Sequence, residues 1–381
     1  MSKERRRPPI PSRRAARAST MSVPRRVKLI PIAAWFSLMA VSAWMWAFFP
    51  LPCRAEDMQG AITERRQSPV TNIGYWKTAM AKTLEQRIGP APEELVSYLV
   101  LDNIVQGIAN KPQTMAVSDE VLDDVKSALT DLPVEVRDLI AGNFVGIYFV
   151  RELGGTAYTQ SVTDDGGQPA AGFIVLDMHV LGQHVANSWT TWREGSPFIA
   201  DPKFRLEAEL ERGGENTRRN AIQYLLLHEL GHVLSIGKQI HPPWVLPVSV
   251  DRSPDKFPFS KLSWTMNAAG TGYTSLFERG FTKRKDVAYY FGARLAADQM
   301  VPVYEQLEQT NFVTLYGTTK PVEDFAEAFA SYVHTVLLKR PQEIRIYRED
   351  TLLKTYHSCW EEARCAEKRK FIEELLNLGV R

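Results

Sequence analysis

Residues 225–234 read LLLHELGHVL, a His-Glu-x-x-His motif inside an apolar run. Residues four positions apart lie on one face of an α-helix, so His228 and His232 would point the same way, one turn apart. Two imidazoles so placed can bind one Zn²⁺ at about 2.0–2.1 Å. Glu229 stands beside them and can reach a water held on that metal. The motif therefore predicts a zinc-binding helix on which Glu229 serves as a general base.

The flanks of the motif favour this interpretation over a buried helix that carries two histidines by chance. The whole chain contains seven histidines, so two at this spacing are notable. Leucine and valine residues between positions 226 and 234 form an apolar stripe. Asn216 or Thr217 can begin the helix, and Gly237 can end it.

The bulk composition is that of a globular protein. The 381 residues are 44% hydrophobic and 24% charged, as expected for one large or two ordinary domains. The formal net charge of +2 conceals an uneven distribution. Residues 1–28 form a basic tail with ten Lys or Arg against one Glu, which leaves residues 29–381 with a net charge of −7. Because this larger part is mildly acidic, the sequence argues against nucleic acid as a partner.

An uncharged apolar segment covers residues 29–49. It follows basic residues and precedes the small residues Cys53 and Ala55, so residues 29–55 are predicted to be a secretory signal peptide cleaved after Ala55. The segment is also long enough to span a bilayer, which leaves a membrane anchor through residues 29–49 as the alternative. Either way the remainder is predicted to be exported, as a periplasmic, secreted or membrane-anchored protein. Met21 is a second possible start.

The two cysteines beyond residue 55 fit an exported protein. Cys359 and Cys365 are an even pair, which in an oxidising compartment is a disulfide candidate. Residues at this separation do not share one face of a straight helix, so a bridge requires a bend between them. Two free thiols on a surface helix are the alternative.

The rest of the chain divides into three parts by its sequence pattern. Residues 56–90 are predicted to be a linker with an early helix, residues 91–340 the domain that contains the motif, and residues 341–381 a C-terminal helical extension. Helical spacing begins near residue 91. Segments rich in strand-forming residues then precede the motif, at 144–150, 156–162 and 172–178. This order predicts an α+β fold.

We expect residues 172–178 to form the edge of a small sheet, where an extended peptide could pair with it. An ordinary interior strand is the alternative. The chain between 184 and 212 is expected to be irregular. Residues 238–320 are dense in Pro, Gly and aromatic residues, and they are expected to form a loop-and-helix insertion beside the cleft.

A second helix supplies the third metal ligand in this interpretation, because a catalytic zinc keeps three protein ligands and one open position. Residues 323–334 read EDFAEAFASYVH, and Pro321 suits the first turn of a helix. Glu323 and Glu327 share one face beside an apolar stripe, an arrangement that needs a neighbouring cation. We predict that Glu323 binds the metal and that Glu327 accepts a hydrogen bond from a ligand histidine. A solvated acidic face is the alternative, with His241 as the fallback ligand.

Residues 316–329 read YGTTKPVEDFAEAF. Together with HELGH at 228–232, they resemble the gluzincin metallopeptidases related to the catalytic domain of anthrax lethal factor. The resemblance implies a zincin-like α+β fold, with a small twisted sheet packed on the active-site helix and a largely helical C-terminal subdomain. It also implies that Glu323 binds zinc and that Tyr316 faces the active site, where it stabilises the oxyanion or donates a proton. The connection between the two motifs is longer than expected for that family, so the resemblance does not identify the substrate.

These observations predict an exported zinc metalloendopeptidase acting on a protein or peptide substrate, with a zinc-activated water and Glu229 as base. Two alternatives stay open. One is a non-catalytic, zinc-stabilised module that binds peptides or cell-wall material, and the other is a zinc hydrolase acting on a non-peptide amide. The sequence carries no indication of oligomeric state.

Overall fold

The computed structural model describes residues 55–242, 254–290 and 292–378. The predicted basic tail at 1–28 and nearly all of the predicted signal peptide or anchor at 29–55 lie outside the described residues. Among the helices that are described, none combines the length and apolarity needed to cross a bilayer.

Helices surround the motif in sequence and in space. They are α1 (Ala55–Gln67), α2 (Ile73–Met80), α3 (Glu93–Gln106), α4 (Asp119–Thr130), α5 (Val134–Ile140), α6 (Met178–Leu181), α7 (Ala186–Gly195), α8 (Arg218–Ser235), α9 (Met300–Glu308), α10 (Pro321–Tyr332) and α11 (Ala366–Leu375). The start of α8 is set by Thr217, whose side chain accepts a hydrogen bond from the backbone N–H of Asn220. Its end is followed by Gly237 with φ 71°, a left-handed conformation that favours glycine. Both ends agree with the prediction.

The strands form a main sheet and two smaller ones. They are β1 (Ile88–Pro90), β2 (Gln113–Thr114), β3 (Phe144–Arg151), β4 (Ala157–Thr163), β5 (Pro169–Asp177), β6 (Phe204–Glu209), β7 (Trp264–Met266), β8 (Tyr273–Ser275), β9 (Glu343–Arg348) and β10 (Thr351–His357). The main sheet has the order β1-β3-β5-β4, and β2 also pairs with β3. Strands β1 and β5 run parallel to β3, while β4 is antiparallel to β5. The fold is therefore mixed α+β with a small mixed sheet, as predicted at this level.

The position of the sheet edge differs from the prediction. Strand β5, which contains residues 172–177, lies between β3 and β4, so it is an interior strand. Within the described residues, the edge next to β5 is β4, and β1 and β2 lie at the other edge. The physical reason is visible in the sequence. Strand β5 is a continuous apolar run that is buried on both faces, whereas β4 is half-buried and mixed in polarity.

The two faces of the main sheet pack against different helices. Ile147 and Phe149 of β3 belong to the hydrophobic cluster that includes α8, while Val145 and Val150 pack with Trp76 on the opposite face. Helix α8 lies very close to the sheet. A Cβ added to Gly172 of β5 would lie 2.5 Å from Cδ1 of Ile236, just after α8, and 3.4 Å from Cγ2 of Val233 in α8, so the end of the Ile236 side chain would have to move. This packing sets the distance between the helix that carries the motif and the main sheet.

Residues 56–90 contain the predicted early helix, but they do not form a linker. The residues that are described include α1, α2 and β1, and β1 is a strand of the main sheet. Trp76 of α2 is buried, and its indole N–H donates to the backbone oxygen of Val70 at 2.8 Å. Strand β1 is only Ile88–Pro90, too short to produce a periodic signal in the sequence. The described residues belong to one compact unit.

The C-terminal part and the segment 184–212 also differ from the predictions. The prediction of a helical extension at 341–381 was wrong for the first half of that range, because β9 and β10 form an antiparallel pair there. The last part does form α11. The segment expected to be irregular contains α7 and β6, and β6 pairs with β9 to complete a three-stranded sheet. Alternating apolar residues in EIRIYR, at residues 343–348, carry the strand period that indicates β9.

Of the two alternatives for Cys359 and Cys365, the structure contains the disulfide, with a Cα–Cα distance of 5.8 Å. The required bend is provided by a turn and by a short 3₁₀ helix at Ala363–Cys365, just before α11. The insertion after α8 combines 3₁₀ turns, the β7–β8 hairpin and α9 in its described residues.

Candidate metal centre and active site

His228 and His232 occupy one face of α8, as the motif predicts. Each exposes 4% of its surface, and their Nε2 atoms lie 3.1 Å apart. Helix α10 brings the Glu323 carboxylate to the same point. Its Oε2 lies 3.3 Å from Nε2 of His228 and 3.5 Å from Nε2 of His232. Among the described residues, these three side chains form the group that could hold a metal ion.

The geometry of the three atoms fits a metal. Ligands bound at about 2.0–2.1 Å with tetrahedral angles lie about 3.3–3.4 Å from one another. The three observed distances lie on both sides of that value. Oε2 of Glu323 is buried, and no hydrogen bond satisfies it within the described residues. Because a buried carboxylate oxygen without a hydrogen bond is unfavourable, a cation between the three atoms would stabilise the arrangement.

The carboxylates around the two histidines shift the pKa values of the site. Burial lowers the pKa of His228, but the Glu323 and Glu327 carboxylates raise it more, to about 10. Burial likewise raises the pKa of Glu323, and the two histidines outweigh this, so its pKa falls below the ordinary value. The site thus attracts a positive charge, which a divalent metal can supply in place of a proton.

Two small residues allow helices α8 and α10 to approach. Gly231 lies between the two histidines and faces Ala326 of α10. A Cβ on Gly231 would lie 2.9 Å from the Cα atom of Ala326 and 3.4 Å from its Cβ. The glycine inside the motif is therefore required by packing, since a side chain there would push Glu323 away from the histidines.

Glu327 lies behind His228, as predicted. Its Oε1 is 2.7 Å from Nδ1 of His228, and its side chain is fully buried. The contact favours the tautomer with hydrogen on Nδ1, which leaves the lone pair of Nε2 for the metal. Burial raises the pKa of Glu327, but the opposing effect of Arg193 and His228 is larger and lowers the pKa to about 2. The group is therefore an anion at neutral pH.

Glu229 is held by a residue of the edge strand. Its side chain points toward β4, where the Thr159 hydroxyl donates to Oε2 at 2.5 Å. Glu229 is 5% exposed, so its carboxylate is largely shielded from water. The contact joins residues 70 positions apart, and no local pattern in the sequence indicates it.

Tyr316 lies beside His228, at the predicted site. It begins a 3₁₀ turn, Tyr316–Thr318, and its ring centroid is 5.6 Å from that of His228. Arg284 holds this turn by donating from Nη1 to the backbone oxygen of Thr318 at 2.9 Å. Burial and the Glu323 carboxylate raise the pKa of Tyr316 well above its usual value. The phenol is therefore protonated and can donate a hydrogen bond.

His241, the fallback ligand, lies outside this group. Its Nδ1 is 2.8 Å from the backbone oxygen of Pro242, and its ring packs 6.0 Å from that of Phe325. Burial lowers its pKa to about 4, so the ring is neutral. In the described residues, the third position of the metal group belongs to Glu323.

Two buried ion pairs near the site were missed in the sequence. Arg193 and Glu194 of α7 form a buried ion pair behind Glu327, and Asp324 of α10 pairs with Lys368 of α11. The sequence held a signal for the pair in α7, because the buried residues of this helix recur at helical spacing: Ala186, Trp189, Thr190 and Arg193. A cation on the apolar face of such a helix predicts a buried anionic partner.

The Asp324–Lys368 pair anchors the helix that carries Glu323. Both side chains are fully buried, with Nζ 2.5 Å from Oδ1. The other oxygen of Asp324 accepts from the indole N–H of Trp264 at 3.1 Å. Since Asp324 directly follows Glu323, these contacts fix the first turn of α10 relative to α11 and the β7–β8 hairpin.

Comparison with known proteins gives no match to a family model, to a curated protein or to a solved structure. The functional argument therefore depends on the geometry of the site.

Proposed function

We propose that this protein is an exported zinc-dependent metallopeptidase of the gluzincin type, which hydrolyses peptide bonds in a protein or peptide substrate. The observation that carries the proposal is the convergence of His228, His232 and Glu323 from two helices, with the carboxylate of Glu229 beside them. Two imidazoles and one carboxylate are a donor set of catalytic zinc, with a fourth position left for water or substrate. The sheet packed on α8 supports a zincin-like arrangement.

Zinc held by these three residues would polarise the substrate carbonyl and lower the pKa of a water toward 7. The chain supplies the remaining groups. Glu229 accepts the proton of the attacking water and passes it to the departing amine. The Thr159 hydroxyl holds one oxygen of Glu229 and so orients the other. The protonated phenol of Tyr316 donates to the negative charge that develops on the carbonyl oxygen.

The edge strand β4 supports a peptide as the substrate. Between Ala157 and Val162, the outer side of β4 pairs with no other strand in the described part of the chain, and Asn72 bridges its far end at Thr163. An extended peptide can add to such an edge through backbone hydrogen bonds. Because Thr159 lies on this strand and touches Glu229, a peptide so bound would pass beside the general base.

The disulfide supports an exported protein, since such bonds persist mainly in oxidising compartments. A non-catalytic binding module would need neither a shielded carboxylate at Glu229 nor a protonated phenol at Tyr316.

The test is cleavage of a peptide library by the zinc-loaded full-length protein, with and without a chelator. Cleavage should stop on chelation and return with zinc. Glu229→Gln should bind zinc as the wild type does and lose activity at least about 100-fold, since general base catalysis contributes about 10²–10⁴-fold. Full activity in Glu229→Gln would refute the proposed mechanism, and zinc binding without any cleavage would favour a binding module.

A further inference from the structure

Arg193 is a buried cation that contacts Glu327, the carboxylate beside the proposed metal ligand His228. It lies in the last turn of α7 and exposes 4% of its surface. Its Nη1 donates to Oε1 of Glu327 at 2.8 Å, and its Nη2 donates to Oε2 at 3.1 Å. A two-pronged contact of this kind fixes both the position and the plane of a carboxylate. Oε1 of the same carboxylate lies 2.7 Å from Nδ1 of His228, so the orientation of Glu327 determines that of the imidazole.

The same guanidinium packs against the ring of Tyr316. Its central carbon lies 5.6 Å from the Tyr316 centroid, 5.0 Å from that of Trp189 and 5.8 Å from that of Tyr224. Cation–π attraction is strongest when the cation is desolvated, as it is here. Arg193 therefore supports Tyr316 as well as Glu327.

Glu194 keeps the guanidinium in place from another side. Its Oε1 accepts from Nη2 of Arg193 at 2.9 Å and from Nε at 3.2 Å. Its Oε2 accepts from the hydroxyls of Tyr304 at 3.1 Å and Tyr289 at 3.4 Å. The ring of Tyr289 in turn packs edge-on against Tyr316, with centroids 4.7 Å apart. Glu194 and Tyr289 therefore connect Arg193 to Tyr316 through a second set of contacts.

We propose that Arg193 is a positioning residue that aligns the metal ligand His228, through Glu327, and the oxyanion donor Tyr316 at the same time. The inference rests on the proposed function, because it concerns the metal and the phenol of that site. It predicts that one substitution of Arg193 changes two measurable properties, metal affinity and the contribution of Tyr316 to catalysis. A residue that only stabilises the fold would change neither in a folded protein.

Arg193→Lys is the sharpest variant, because lysine keeps the charge and the aliphatic stem but cannot form the two-pronged contact or stack in the same way. The matched control is Arg340→Lys. Arg340 also pairs with a buried carboxylate, at 2.6 Å from Glu211, but it touches none of the proposed catalytic or metal-binding residues. Thermal unfolding of the metal-free, full-length proteins establishes that both variants are folded.

The first measurement is the zinc dissociation constant, determined by competition with a chelator. Arg193→Lys should bind zinc about 10- to 100-fold more weakly, the range found when partners of ligand histidines are altered. Arg340→Lys should bind like the wild type. Equal zinc affinity in Arg193→Lys and wild type would overturn the inference and leave the proposed function intact. Failure of the wild type to bind zinc would overturn both.

The second measurement is a double-mutant cycle of Arg193→Lys with Tyr316→Phe on kcat. The two losses should be strongly non-additive, because residues that act as a unit do not contribute independently. Additive losses would overturn the link to Tyr316. Should Arg193→Lys fail to fold, the nearly isosteric Glu327→Gln carries the test, and wild-type zinc affinity in that variant would overturn the inference. Zinc binding without peptidase activity would refute the proposed function and the link from Arg193 to Tyr316, while the zinc affinities would still test the link from Arg193 to His228.

Discussion

Gly231 of α8 contacts Ala326 of α10 so closely that a Cβ on Gly231 would lie 2.9 Å from the Cα atom of Ala326. The obstacle is backbone, which cannot rotate away as the end of a flexible side chain would. The separation of α8 and α10, and hence the reach of Glu323 to the histidines, is therefore set by the absence of a side chain at one position.

We expect Gly231→Ala to lower both metal affinity and stability. The added methyl forces the helices apart, and overpacking of this kind costs about 1–3 kcal/mol. Gly60→Ala in α1 is the matched control, because nothing lies within 4 Å of a Cβ there and alanine favours a helix over glycine by roughly 0.5–1 kcal/mol. Urea denaturation and zinc titration measure the two effects. Wild-type affinity in Gly231→Ala would show that the helix spacing does not control the site.

Replacing Thr159 should impair catalysis without removing the metal. Thr159→Val deletes the hydrogen bond to Glu229, and a bond to a charged group contributes about 1.5–3 kcal/mol, so kcat/KM should fall roughly 10- to 100-fold. Thr159→Ser keeps the hydroxyl and should restore most of the activity. Zinc content is the control for both variants. Equal rates for the valine and serine variants would contradict a role for the hydroxyl.

Tyr316→Phe should lower kcat more than it weakens substrate binding. The raised pKa means that the phenol is protonated at neutral pH, and the hydrogen bond it donates should strengthen because negative charge develops on the substrate oxygen. Loss of an interaction made mainly in the transition state lowers kcat and leaves KM nearly unchanged. Steady-state kinetics on one cleaved peptide provide the measurement, and a change confined to KM would assign Tyr316 to substrate binding instead.

Zinc affinity should rise with pH between about 6 and 9. Without metal, burial and the opposing effect of the two carboxylates leave the pKa of His228 at about 10. Zinc needs the neutral ring, so it must displace a proton throughout this range, and affinity should increase about tenfold per pH unit. Calorimetry in buffers of different ionisation enthalpy should detect about one proton released at pH 7. A pH-independent affinity would contradict this.

The buried pair of Asp324 and Lys368 should contribute strongly to stability through its partners. Removing one member leaves an uncompensated buried charge, so Lys368→Met should lower the free energy of unfolding by about 3–5 kcal/mol. Lys370→Met in the same helix is the control, because Lys370 and Glu374 are both solvent-exposed and their charged atoms lie 4.0 Å apart. A substitution at such a surface position usually changes the free energy of unfolding by no more than about 0.5 kcal/mol.

The double variant Asp324→Leu/Lys368→Met should recover much of that loss, since neither charge remains buried. Urea denaturation compares the variants. A loss for Lys368→Met no larger than for Lys370→Met would show that the buried pair does not anchor α10.

The sequence by itself determined the features that repeat over a few residues. The spacing of His228 and His232 places them on one helical face because an α-helix turns once in 3.6 residues. The same rule placed Glu323 and Glu327 together on the second helix. Thr217 and Gly237 marked the ends of α8 through local backbone chemistry. These features depend on neighbours in the chain, which the sequence shows directly.

The tertiary structure alone decided which distant residues complete the site and which strand forms the edge. Arg193 meets Glu327 across 134 positions, and Thr159 meets Glu229 across 70. No periodicity connects such residues, because their contact depends on how the sheet and helices pack as a whole. The strand order β1-β3-β5-β4 likewise could not be predicted from the sequence of each strand by itself. Hydrogen bonding between strands and burial of both faces of β5 select it.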